Sequence, residues 1–381
     1  MSRRFVAACL CAAAVLAAVT ACGGPPAPQP TTATTATTAT EPPVVNVYNW
    51  TDYIDPEVLK QFTKETGITV NYDTFDSNEI LETRMLAGRS GYDVVVVTST
   101  FLETQLAAGV YREIDAAQLP NLRNLDAALG TKLTTPDGGL RWSVPYHYGI
   151  TAVGYDAAKL RARLPDAPLD SFALVFDPAV VARFADCGFA IIDSPADVLG
   201  AALSWLGRDP NSERPEDLAE VERVLLAIRP YVRYIGTPQI NADLVNGEIC
   251  LALGWSGDVL RARTRAREAG RTADIRFAIP REGAVVFSDT LAIPQDAPHP
   301  RNAHRLIDFL LRADVAARLS EFLQYPNANA ASWPLIAPAV RDDPMVFPPA
   351  DAQARLVADR VESPAFRRQL MRTWTRFKTG R

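Results

Sequence analysis

Aspartates and aromatic rings recur at one kind of position in this chain, just past the carboxyl ends of apolar, strand-like runs. VVNVYNW ends at Trp50, with Thr51, Asp52 and Tyr53 next, and YDVVVV ends at Thr98-Ser99-Thr100. GFAIID ends at Asp193, followed by Ser194 and Asp197, and CLALGW ends at Trp255, followed by Ser256 and Asp258. A later run, VVFSDTLAIP, carries Phe287 and Asp289, alternate residues that share one side of a strand. No lysine or arginine sits among these ends.

That combination favours a cation with a hydrocarbon stem. Ring faces attract cations, and carboxylates give charge-assisted hydrogen bonds. A slot with rings along its walls and acids at its ends suits a long alkyl chain with ammonium ends, because a buried charge without a partner is costly. An anion or an amino acid would call for an arginine or a glycine-rich helix start. Taken singly, Trp50 and Trp255 read equally well as core residues, and Asp52 and Asp258 as helix-start acids. Asp289 is harder to dismiss, because an acid between VVF and LAI is a poor strand choice.

Catalytic readings are weaker. GWSGD (254–258) nearly spells a nucleophile elbow but has Asp258 where the last glycine belongs. His147, His299 and His304 form no HExxH and no zinc spacing, and no glycine-rich phosphate loop follows a strand. Acid pairs such as Asp193 and Asp197 are the kind of arrangement a glycosidase uses. The expectation is a binding protein, not an enzyme, with no cofactor and no metal.

The elements that position these residues alternate strand and helix. After VVNVYNW, a helix from Pro56 to Glu65 stops at Gly67, ITVNYDTF forms a second strand, and Ser77 caps a helix from Asn78. YDVVVV and a helix through Leu102 to Ala108 complete this series. A second series runs through ITAVGYD (150–156), GFAIID, helices at 195–206 and 216–228, YVRYIG, CLALGW, DVLRARTRAREAG and DIRFAIP. Helices near 300–324 and 350–377 close the chain. The pattern predicts an α/β fold with two sheets, each covered by helices.

The 381 residues, 48% hydrophobic and 22% charged, are enough for two cores. A formal net charge of −5 gives no basic excess for a nucleic-acid binder. Arg3 and Arg4 precede an apolar run, Phe5 to Val19, that ends in small residues before Cys22, as in a secretory signal. Residues 23–43 contain only Gly, Pro, Ala, Gln, Thr and Glu, a composition that makes a tether and no core. Cys9 and Cys11 leave with the signal. Cys187 and Cys250 remain in an oxidising compartment, paired or as two buried thiols.

Cys22 after small residues resembles a bacterial lipoprotein signal, which implies lipidation at Cys22. More broadly, the segments VYNWTDYIDPEVLKQFTKETGITVNYDTFDSNEILE, GWSGDV, FSDTLAIP, YPNANAAS and PPAD resemble the periplasmic polyamine-binding proteins of ABC transporters, putrescine binders above all. The resemblance runs from about Val44 to the C-terminus. It implies a two-lobed type II solute-binding fold with hinge strands, the chain crossing near residues 148 and 281. Lobe 1 is then 44–148 plus 281–325, and lobe 2 is 149–280 plus 326–381, after a signal at 1–21 and a tether at 22–43.

The family's aromatic box falls on Trp50, Tyr53, Trp255, Phe287 and Tyr325. Its ammonium-binding acids fall on Asp258 and Asp289, with Asp197 where glutamate is usual. Thr51, Thr98 and Thr237 take hydroxyl positions, Asp52 and Asp359 complete the polyamine set, and the cysteine pair falls on Cys187 and Cys250. Ser194 and Phe287 lean toward the diamine, whereas Asp359 and Thr100 leave room for a further ammonium. The expectation is a monomeric lipoprotein, held in the periplasm at a membrane by its lipid. It captures putrescine, with spermidine second, and delivers it by cleft closure to an ABC permease of the inner membrane. Alternatives are a polyamine sensor signalling through a membrane receptor, or the same fold binding another small solute.

Overall fold

A computed structural model describes residues 41–126 and 140–381. The expected signal, Cys22 and the tether as far as residue 40 lie outside the described residues. The described chain starts anchored. Both carboxylate oxygens of Glu41 accept from the backbone N–H groups of Arg301 and Asn302, at 3.0 and 2.9 Å, in the first turn of helix Pro300–Leu310. An anion there meets unpaired donors and the positive helix end.

β1 (Val44–Trp50) lies between β2 (Thr69–Phe75) and β3 (Val94–Thr98), parallel to both. Helices Pro56–Thr66 and Asn78–Leu86 link these strands. Their starts are fixed by side chains: Asp55 accepts from the N–H of Glu57 at 2.9 Å and Ser77 from that of Ile80 at 3.3 Å. Gly67 ends the first helix at φ 73°, a left-handed conformation that glycine adopts without a Cβ clash. In the second half, β5 (Phe189–Ile191) lies parallel to β6 (Tyr234–Ile235) and β7 (Leu251–Trp255).

The two series do not form separate sheets. With β4 (Ser143–Asp156) and β9 (Ala284–Ala292), among the described residues the strands make one ten-stranded mixed sheet, in the order β2-β1-β3-β9-β4-β7-β5-β6. β8 (Ile275–Ala278) sits beside β4, and β10 (Leu356–Ala358) beside β9. The join is made by β4 (Ser143–Asp156) and β9 (Ala284–Ala292), which run antiparallel and pass from one half to the other. β9 pairs with β3 through residues 289–292, and β4 pairs with β7 through 151–155. Such long-range pairings leave no trace in local strand–helix alternation. The β4–β9 register shifts between Pro145 and Tyr148, where proline contributes no N–H.

The C-terminal region differs from the single helix expected over 350–377. It is a short helix Ala350–Gln353, then β10, then helix Pro364–Thr379. Ser363 starts the last helix by accepting from the N–H of Phe366 at 3.2 Å, and Pro364 suits its first position.

Each half has its own core. Val45, Phe62, Ile307 and Leu319 pack on one face of the first half, and Leu81, Phe101 and Leu102 on the other. The second half is built on Phe176, Phe189, Val198, Leu225, Leu253 and Trp374. Among the described residues no helix is long and apolar enough to cross a membrane.

Cys187 and Cys250 form a disulfide with Cα atoms 5.6 Å apart, tying the turn before β5 to the residue before β7. The bridge closes a sequence separation of 63 residues. Replacing both cysteines by serine is expected to lower unfolding free energy by about 2–4 kcal/mol. Urea denaturation of the two proteins under oxidising conditions measures this, and equal midpoints would contradict it.

Candidate functional site

Residues beyond β1, β3, β5, β7 and β10, with two from within β9, meet around one cavity between the two cores. Its volume is about 890 Å³, counting its open mouth. All the residues that the sequence assigns to ligand contact line it: Trp50, Thr51, Asp52, Tyr53, Thr98, Asp197, Thr237, Trp255, Asp258, Phe287, Asp289, Tyr325 and Asp359. Asp193 does not. Its carboxylate accepts from Trp374 Nε1 at 2.8 Å and pairs with Lys378 at 2.5 Å, which removes the Asp193–Asp197 arrangement that a hydrolase would need.

The rings form a chain of edge contacts around the cavity. Trp50 meets Trp255 at 5.8 Å between centroids, Trp255 meets Phe287 at 6.0 Å, Phe287 meets Tyr325 at 6.1 Å, and Tyr325 meets Tyr53 at 5.4 Å. Two glycines admit this arrangement. A Cβ at Gly149, directly across the sheet from Phe287, would lie 2.5 Å from the Phe287 ring, and one at Gly257 would collide with Tyr325. The sequence reading missed both, although Gly257 stands inside GWSGD.

The acids reach the cavity by different routes. Asp289 sits within β9 opposite Thr98 of β3, whose hydroxyl donates to it at 2.8 Å. Asp197 and Asp258 occupy the first turns of helices Pro195–Trp205 and Ser256–Glu268, where the helix dipole favours an anion. Asp197 accepts from Thr151 and Ser194, both at 2.6 Å, and from Trp255 Nε1 at 3.1 Å. Asp359 follows β10, with its backbone N–H held by the carbonyl of Val286 at 3.0 Å and Thr100 3.4 Å from its carboxylate. Thr237 accepts from the N–H of Asp193 at 3.2 Å.

Asp52 is different. It stands at the exposed rim with φ 60°, its carboxylate 3.1 Å from Arg265 and its carbonyl accepting from Arg261. These arginines follow Asp258 at helical spacing, and sequence reasoning overlooked them because they stand behind the cavity wall. Among the described residues the lining contains no lysine, arginine or histidine.

Burial without a facing cation disfavours ionisation of these acids. It pushes Asp289 up to about 7 despite the Thr98 hydrogen bond. It pushes Asp359 up to about 7, aided by the fields of Asp197 and Glu362. Asp258 rises to about 6, with Arg261 holding it back in part. Asp197 rises too, restrained by its three hydrogen bonds.

Unsatisfied polar atoms gather in the same place. Trp50 Nε1, Asn78 Oδ1 and Asn241 Oδ1 are buried in the lining without a hydrogen-bond partner. The Tyr53 hydroxyl is buried beside Asp289 without a well-formed bond. Native interiors rarely leave such groups unpaired. Asn78, Asn241, Phe75 and Phe101 are lining residues that sequence reasoning missed. Phe75, at the end of β2 and 4.6 Å from Trp50, was open to the same strand-end rule.

Two cores joined by crossing strands, with a polar-and-aromatic cavity between them, define a two-lobed ligand-binding protein. The chain belongs to the bacterial extracellular solute-binding proteins, whose family model matches residues 57–348. It is 42% identical over 339 residues to the putrescine-binding periplasmic protein SpuD of Pseudomonas aeruginosa, covering 89% of this chain and 92% of that one. It is 41% identical over 343 residues to the putrescine-binding periplasmic protein PotF of Escherichia coli, covering 90% and 93%. A solved structure of a Listeria monocytogenes protein ascribed to spermidine/putrescine ABC transport superposes with TM-score 0.79 at 26% identity, covering 89% of this chain and 100% of that one.

The raised carboxyl values fix the sign of a pH effect. A bound cation favours the ionised acids, so binding releases protons and strengthens as pH rises through 6–7. Buried His147 is pushed down to about 4 and stays neutral over that range. A diamine is expected to bind at least about tenfold more weakly at pH 5.5 than at pH 7.5. Calorimetry in buffers of different ionisation enthalpy checks the proton release, and a pH-independent affinity without it would contradict the assignment.

Proposed function

We propose that this protein captures a linear polyamine outside the cytoplasm, putrescine ahead of spermidine, and delivers it to an ABC permease of the inner membrane. The observation that carries this reading is the set of desolvated carboxylates in a ring-lined cavity that, among the described residues, contains no cationic side chain. A polyamine supplies the missing positive charges, and its methylenes pack on the rings. No covalent chemistry is required. Contacts from both lobes favour the closed arrangement, and the lobes move about the strands crossing near residues 148 and 281.

The names of the relatives support the ligand class and the periplasmic setting. The sequence around Cys22 supports a lipid anchor, the composition of residues 22–43 supports a tether, and the chain acts as a monomer. Asp258, beside Asp52, serves one ammonium group. Asp289 and Asp197 serve the middle of the cavity. The field of Asp197 also reaches Asp359, which supports a role for Asp359 toward a further ammonium.

Two substitutions test this. Asp289→Ala is expected to weaken putrescine binding by about 2–5 kcal/mol, because an ammonium loses its buried partner. Asp359→Asn is expected to reduce spermidine affinity more than putrescine affinity. Calorimetric titration of both ligands into each purified variant measures this. Near-normal putrescine affinity in Asp289→Ala would overturn the site, and equal losses for both ligands in Asp359→Asn would overturn its distal role.

A further inference from the structure

One edge of the cleft is held together by Asp52 with Arg261 and Arg265. Another holds a second charged seam that none of the site residues accounts for. Arg367 lies on helix Pro364–Thr379, whose Phe366, Leu370 and Trp374 belong to the second core. Its guanidinium nevertheless stands 4.8 Å over the ring of Phe101, which belongs to the first half. It also lies 3.7 Å from Glu82, on helix Asn78–Leu86 of that half, and 3.5 Å from Glu362 on its own side.

The rest of the seam is acidic. Glu79 and Glu82 approach from the first half, and Glu362 and Glu213 from the second. The repulsion between Glu79 and Glu362 acts across the gap, and burial raises the carboxyl values of both. Bringing these faces together without a cation would oppose like charges in a poorly solvated place. Among the described residues, Arg367 is the cation that touches both faces. Glu362 in turn acts on Asp359 in the cavity wall, so the seam and the ligand site share one electrostatic network.

We propose that Arg367 is a positioning residue for ligand capture. By pairing with Glu82 and stacking on Phe101 it turns a repulsive lobe–lobe edge into an attractive one, and so holds the closed form around the ligand. The contact exists only when the lobes meet, so its loss acts on ligand escape and leaves encounter unchanged. This inference rests on the reading above, that a polyamine is held by closure.

The test is stopped-flow kinetics with putrescine on the purified protein and variants, with thermal melts as a check on folding. Arg367→Met is expected to release putrescine at least tenfold faster with an association rate within threefold of the original. Adding Glu362→Gln to Arg367→Met is expected to recover part of that loss by removing the acid left facing Glu79, which a merely structural role for Arg367 would not produce. Should Arg367→Met fail to fold, Glu82→Gln reads the same contact from the other side, with faster release expected. Release within twofold of the original in the folded variant, or no recovery in the double variant, overturns the inference. No putrescine binding by the unaltered protein overturns the polyamine reading and this inference with it.

Discussion

Placing several carboxylates in one water-poor space, with no side-chain cation among the described residues facing them, is the constraint around which the cavity is organised. Each charge so placed costs several kcal/mol unless something answers it. The chain answers in part, with the Thr98 hydroxyl on Asp289 and with Thr151, Ser194 and Trp255 on Asp197. Those neutral donors orient the acids without cancelling their charge, so burial still raises both carboxyls above the usual range, Asp289 up to about 7. In the function proposed above, a ligand that carries two or more positive charges completes the site, and the cost of burying the acids becomes the source of selectivity for such ligands.

The fold makes that placement possible by mixing supports. Asp289 is fixed by the β3–β9 ladder, Asp197 and Asp258 by helix starts, and Asp359 by a backbone bond to β9. Because β4 and β9 run through both halves, the acids and rings of the two lobes are referred to the same pair of strands. The register shift at Pro145–Tyr148 lies where the chain passes between cores. Gly149 and Gly257 then let Phe287 and Tyr325 settle against the backbone, which keeps the ring chain continuous.

Much of the site was legible because strand ends can be read locally. An apolar run followed by Trp-Thr-Asp-Tyr or Trp-Ser-Gly-Asp announces its own terminus, and Asp289 is conspicuous for being an acid in an apolar strand. What escaped was whatever depends on distant segments. The antiparallel β4–β9 join, the strand at Leu356–Ala358, and the roles of Asn78, Asn241, Arg261 and Arg265 arise only when remote parts of the chain meet. The grouping of Tyr325 and Asp359 with the rest rested on family resemblance, since neither stands at the end of a run that the sequence marks as a strand.

The central claim is that charge at both ends of a short hydrocarbon chain is what the cavity recognises. Calorimetric titration of the purified protein, stripped of any carried ligand, with putrescine and then with 1,4-butanediol tests it most directly. The account predicts saturable one-to-one binding of the diamine and none of the diol, which has similar length and no charge. Equal affinities for the two, or no heat from putrescine with a protein shown to be folded, would contradict it.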